Sequence, residues 1–299
     1  MVSDLKPRTL PPDIGADVGE QRSREREEPT VIIEPSGPWP RIDLRELWAY
    51  RNLFLFLVWR DIKVRYAQTV LGAGWAILQP VLAMVVFTVI FGNFAKIPSD
   101  GVPYPVFSLA ALVPWIYFST ALTTASNSLI ANPNLITKVY LPRLVIPFAP
   151  VLAGLVDFAI ALVILFAMML AFGIVPSSGV AVLPILVLIM MMAAAGIGCL
   201  LAALNVQYRD VKHIVPFLVQ VLMFASPIVY PMSLVPEAYR VAYALNPMAG
   251  VIEGFRSVLL GTNSISWSLL SVSAVSSVVF LTIGALYFRR MERVFADVA

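Results

Sequence analysis

Bond-breaking chemistry needs convergent groups, and this chain offers few. It has one histidine, His213, and one cysteine, Cys199. A single His beside an apolar run cannot complete a Ser–His–Asp constellation, and it argues against a His-rich metal site. The carboxylates near apolar stretches are scattered, not paired, so metal-assisted phosphoryl transfer has no ligand set. No Gly-x-x-x-x-Gly-Lys-Ser/Thr run is present to cradle phosphate, and Gly72-Ala73-Gly74 alone is a weak signal. No catalytic residue, metal or cofactor is expected from these residues, and Cys199 cannot close an internal disulfide.

The residues that stand out are suited to binding. Trp59-Arg60-Asp61-Ile62-Lys63-Val64-Arg65-Tyr66 sets three cations within six residues, next to a Trp and just before a long apolar run. That combination marks a water–membrane border. Between Pro133 and Pro142 lie Asn134, Leu135, Ile136, Lys138, Val139, Tyr140 and Leu141, followed by Arg143. Ile136, Val139, Tyr140 and Leu141 are unusually apolar for a plain basic loop. A short surface helix that docks a partner fits them, and a solvated positive loop is the alternative. Gln207 to His213 forms a second such loop.

Asp157 is the one acid inside an apolar stretch, a position that is functional by default unless it hydrogen-bonds a neighbouring helix. Glu253 and Arg256, three residues apart, could pair on one helix face. Phe87, Phe91, Trp115, Tyr117, Phe118 and Tyr230 gather near the ends of apolar runs. An interfacial belt and a sugar-stacking channel lining both need these types.

The elements that must position these residues are set by composition. Of 299 residues, 59% are hydrophobic and 13% charged, with a mean hydropathy of +0.84. Soluble domains carry about 25% charged residues, so the chain reads as an all-α integral membrane protein. A net charge of +3 is too small to suggest nucleic acid.

Residues 1–42 are rich in Pro, Glu and Arg, without hydrophobic period, and read as a disordered cytosolic tail with no signal-peptide core. Asp43 to Tyr66 reads as an amphipathic interfacial helix, with Leu44, Leu47, Trp48, Leu55, Val58, Trp59, Ile62 and Tyr66 on one face. Six spans follow: Ala76–Phe94, Phe107–Leu129, Leu144–Phe172, Val180–Leu204, Ile214–Tyr230 and Leu269–Tyr287. Pro147 and Pro150 predict irregularity at the start of the third, and Pro216 and Pro227 a kink in the fifth. With both termini in the cytosol, the inner segments carry Arg41, Arg45, Arg51, Arg60, Lys63, Arg65, Lys138, Arg143, Arg209, Lys212, Arg289, Arg290 and Arg293. The outer ones carry Lys96, Arg240 and Arg256. That imbalance fixes the orientation. Between spans five and six, Val235–Leu245 and Pro247–Gly261 read as two short helices that dip back into the outer leaflet. A solvated amphipathic loop is the alternative.

These pieces, in this order, resemble the membrane subunit of ABC-2 type ABC transporters, nearest to the polysaccharide-exporting branch that handles O-antigen and teichoic-acid chains. The resemblance spans roughly residues 43–295. It is carried by Trp59 to Tyr66 leading into Leu71-Gly72-Ala73-Gly74-Trp75 and Gln79-Pro80, by Asn134 to Arg143 and by Asn205-Val206-Gln207-Tyr208-Arg209-Asp210-Val211. Ser226-Pro227-Ile228-Val229-Tyr230-Pro231 and Leu245-Asn246-Pro247-Met248 complete it. It implies a homodimer around a central conduit in the bacterial inner membrane. Two separate ATPase subunits that hold ATP and Mg would dock largely through Asn134–Arg143. A lipid-linked polysaccharide would be the cargo. The interfacial helix, with Trp59, Arg60, Lys63 and Arg65, and the outer helices, with Glu253 and Arg256, would frame the conduit's ends amid membrane lipids. A rival within the fold exports a lipid or small drug. A membrane enzyme on polyprenyl-linked sugars should show clustered acids or His at one interface, and a proton-coupled carrier several intramembrane charges. Neither is found in the sequence.

Overall fold

In a computed structural model, the described residues are 44–67, 74–133, 135, 141–208, 210–261 and 264–298. All belong to the unit Pro40–Ala299, and the expected tail lies outside them. Among the described residues regular structure is helical throughout, with no strand. Five helices among the described residues are long and apolar enough to cross a membrane.

The chain opens with α1 (Leu44–Ala49) and α2 (Arg51–Tyr66), separated at Tyr50. Leu53, Phe54, Leu57 and Val58 turn inward, while Trp48, Leu55, Phe56, Trp59 and Val64 are exposed. The expected single apolar face is therefore corrected: Leu55 and Trp59 lie opposite Leu57 and Val58. Apolar residues surround α2, so one side packs on the bundle and the other is left for lipid or another protein.

The first long helix is α3 (Gly74–Phe94), regular to Phe87 and π-wound over Thr88–Phe94. Its wider turn shows in the bond from Ala95 N–H to Ile90 O, five residues back, at 2.8 Å. Next, α4 (Tyr104–Ala131) starts where Pro103 is extended and Pro105 occupies its first turn, a position that needs no N–H. It is the central helix, buried along most of its length. The third apolar stretch is broken at Gly154 into α5 (Val145–Ala153) and α6 (Leu155–Ala171), near the irregularity that Pro147 and Pro150 predict.

After a 3₁₀ turn, α7 (Leu183–Gln207) follows, and later α11 (Trp267–Val298). These two make the most extensive helix pairing. A Cβ on Gly196 would strike the Leu281 backbone, and one on Gly284 the Gly196 carbonyl, so the two backbones touch.

The fifth expected span differs. The helix α8 (Val211–Phe224) has 14 residues, about 21 Å at ~1.5 Å per residue, short of the ~30 Å hydrocarbon core. Ser226 precedes Pro227, which disfavours helical backbone before it, and the chain turns through Ser226–Tyr230 instead. Two further helices follow, α9 (Glu237–Tyr243) and α10 (Pro247–Leu260). In α10 the Asn246 side chain accepts the Met248 N–H at 3.1 Å, Pro247 takes the first helical position, and Gly261 ends the helix at φ +64°. Every residue of α10 is buried, against α4, α7 and α11.

Candidate functional site

The end of α2 is tied to the start of α6 by charge. Arg65 Nη1 donates to Asp157 Oδ2, and the Tyr66 hydroxyl donates to Asp157 Oδ1. The lone acid of the third apolar stretch thus has its neighbouring helix. Arg65 and Asp157 side chains keep 26% and 29% of their exposure, enough for water to screen them in part. Burial, then the bond to Asp157 and its charge, push the Tyr66 phenol up to about 12. Tyr66 therefore remains a donor throughout the physiological range. Earlier on α2, Arg60 pairs with the adjacent Asp61 at 2.8 Å, while Trp59 and Lys63 are exposed.

This junction borders a cavity of about 290 Å³. Its polar wall comes from Arg65, Tyr66, Asp157, Gln79, Thr120 and Thr124, and its aromatic wall includes Trp75 and Tyr117. The Tyr117 hydroxyl donates to the Val151 carbonyl at 2.9 Å. A Cβ on Gly154 would lie 3.3 Å from the Tyr117 ring, so the glycine at the α5–α6 break admits this ring.

Arg256, on α10, is 1% exposed. Its Nη1 donates to Pro227 O at 2.6 Å and Tyr230 O at 3.1 Å, Nη2 to Ile228 O at 2.7 Å and Nε to Phe107 O at 3.4 Å. The guanidinium carbon lies 3.6 Å from the Phe107 ring centroid. Glu253 and Arg256 interact through charge, and the guanidinium's hydrogen bonds go to main-chain carbonyls, three in the turn after α8 and one, Phe107 O, in α4. Glu253, 9% exposed, lies near the Met232 backbone and the Arg256 charge. Asn246 adds a second tether, donating to Ala225 O at 3.0 Å and Ser226 Oγ at 2.9 Å.

The family model for ABC-2 type transporters matches residues 52–260. The chain belongs to the ABC-2 type transporter family. It is 32% identical over 257 residues to an O-antigen export system permease protein of Myxococcus xanthus, covering 85% of this chain and 98% of that protein. An O-antigen export system permease protein of Klebsiella pneumoniae is 25% identical over 248 residues, covering 83% of this chain and 95% of the relative. A polysialic acid transport protein of Escherichia coli is 25% identical over 239 residues, covering 80% and 92%. The ABC-2 match runs from within α2 to the end of α10, so it contains both the Arg65–Asp157 junction and the Arg256 clamp.

The remaining sequence-named residues of this ABC-2 chain fall as follows. Asn134, Ile136, Lys138, Val139 and Tyr140 lie outside the described residues. The loop's flanks are held. Leu141 is buried with Leu57, Leu144, Ala285 and Phe288, and Leu135 packs against the same cluster. Arg143 Nη1 donates to Glu292 O at 2.5 Å, linking the loop's end to α11.

Of the aromatics, Trp115, Tyr117 and Phe118 are buried, Trp115 and Phe118 with ring centroids 5.6 Å apart. Phe87 and Phe91 contact edge-on at 5.3 Å and are half-buried. The Tyr230 hydroxyl meets that of Tyr243 at 2.6 Å. Sequence reasoning did not single out Tyr66 as a partner of Asp157, nor Gln79 and Thr120 as cavity wall. Only the acid inside an apolar run signalled the junction.

Proposed function

We propose that this chain is the membrane-spanning subunit of an ATP-driven exporter that moves a lipid-linked polysaccharide from the cytosol across the inner membrane. The observation that carries this reading is that the chain covers 92–98% of relatives named for O-antigen export and polysialic acid transport. Among the described residues no group of His, Cys, Asp and Glu is placed to hold a metal. ATP and Mg are assigned to a separate ATPase, two copies of which serve two copies of this chain.

In this reading both termini are cytosolic. The short helix α8 and the turn after it complete a sixth crossing, and α9 and α10 enter the outer leaflet and return. Burial of α10 supports re-entry, because backbone inside a bilayer must be covered by protein. Asn134–Arg143 seats the ATPase, and of the aromatics Phe87, Phe91 and Tyr230, which keep part of their exposure, touch the moving glycan, while Trp115, Tyr117 and Phe118 are buried within the chain. Trp59, Arg60, Lys63 and Arg65 stand at the cytosolic entrance, and Glu253 and Arg256 at the outer end.

Surface polymer per membrane-inserted protein tests the reading. A strain lacking this chain should accumulate lipid-linked polymer inside, and the wild-type chain should restore it to the surface only with an ATPase able to hydrolyse ATP. Normal surface polymer without the chain overturns it.

A further inference from the structure

The cavity beside the Arg65–Asp157 junction has a wall composition that packing does not require. Its volume, about 290 Å³, falls just below the ~300–1,000 Å³ typical of small-ligand pockets. Arg65 and Asp157 neutralise one another, so no net charge draws in an anion. The junction still has hydrogen-bonding capacity. Arg65 carries five N–H groups and gives one to Asp157, and the Asp157 carboxylate has about four lone-pair sites, of which two are taken. Gln79 is exposed on the wall and offers both donor and acceptor. The Thr124 hydroxyl donates to Thr120 O at 2.7 Å, leaving its own lone pairs to accept. Trp75, also exposed, and Tyr117 supply ring surface.

Interleaved donors and acceptors beside aromatic faces suit a ligand whose neighbouring hydroxyls each give and take a bond and whose other side is C–H-rich. A phosphate would call for net positive charge, and an acyl chain would strand the polar groups unpaired. We propose that this cavity, formed within one chain by α2, α3, α4 and α6, is a binding site for one neutral sugar ring. Its place at the α2–α3 junction puts it near the entrance rather than along a conduit between two copies. The ligand class rests on the polysaccharide reading above; the cavity and its chemistry do not.

The test is saturation-transfer NMR on the whole transporter, with its ATPase partner, in lipid nanodiscs. The probes are methyl glycosides of common hexoses, deoxyhexoses and N-acetylhexosamines. At least one glycoside should receive saturation at its ring protons from the wild-type protein. Trp75→Leu and Gln79→Leu should each weaken binding about tenfold. Phe217→Leu, on an exposed face of α8 away from the cavity, should leave it unchanged. Gln79 is exposed, so its variant isolates binding from folding. Absence of signal from every glycoside, or equal signal across the variants, overturns the site. Displacement of the glycoside by glycerol phosphate overturns it in favour of a headgroup pocket. Surface polymer is measured in the same strains: polymer that depends on the chain, without glycoside binding, removes the site and leaves the export reading standing.

Discussion

Arg256 is the residue that ties α10 to the turn after α8. A planar fork with five donors can reach Pro227, Ile228 and Tyr230 carbonyls together with Phe107 O, whereas an ammonium concentrates its donors at a point. Arg256→Ala should leave several buried carbonyls unpaired at about 1–3 kcal/mol each. Arg256→Lys should recover only part of that. The yield of monodisperse detergent-extracted protein and its thermal midpoint measure both, and a wild-type midpoint for the Ala variant contradicts the clamp. At the other end, Arg65→Gln and Asp157→Asn should each cost about 1–2 kcal/mol, the scale of a charge-assisted hydrogen bond discounted for partial exposure. A double-mutant cycle should give clear non-additivity; strict additivity would mean the two side chains do not interact in the membrane. Asp157 could be picked out in the sequence because an acid in an apolar run is rare. The clamp could not, because its acceptors are main-chain oxygens, which no residue type announces.

Helix ends and crossings decide the next level. The α7–α11 pair depends on Gly196 and Gly284, where any side chain meets backbone. Gly284→Leu should therefore abolish accumulation of folded protein, while Val275→Leu on the exposed face of α11 should not; immunoblots of extracted protein separate the outcomes. The loop from 134 to 143 needs two distinct tests. Tyr140→Ala should uncouple ATP hydrolysis from export with folded protein unchanged. Leu141→Ala should instead lower stability by about 2–5 kcal/mol, since Leu141 is 7% exposed within a packed cluster. Pooling the two changes would confuse docking with packing. Sequence periodicity locates the long helices well, because runs of about 20 apolar residues have few alternatives. It fails at α2, where Leu55 and Trp59 lie opposite the packed Leu57 and Val58; at α10 it locates the helix, but Glu253, Arg256 and three glycines or prolines hide how thoroughly that helix is buried.

For the molecule as a whole, orientation is the reading with the widest reach. In a Cys199→Ala background, with Cys199 itself buried, single cysteines at positions 138 and 210 should react only from the cytosol and one at 100 only from outside. Swapped labelling would invert both ends of the proposed path. This expectation rests on the charge asymmetry between the expected inner and outer segments. The count of crossings was not fully readable, because Pro227 converts the end of an apolar run into a turn that Arg256 then holds.

The π-wound stretch Thr88–Phe94 gives the first long helix a reserve of length. A π turn accommodates one residue more than an α turn, so a shortening of the chain here can be absorbed by rewinding to the α form, with the helix ends kept in place. Deleting Ile90, which is 45% exposed, should therefore leave extractable, folded protein. Deleting Leu112 from the buried α4 should not, because every residue beyond it would rotate out of its packing site. Insertions and deletions should accordingly be tolerated unevenly along the spans, with the C-terminal end of α3 the most forgiving.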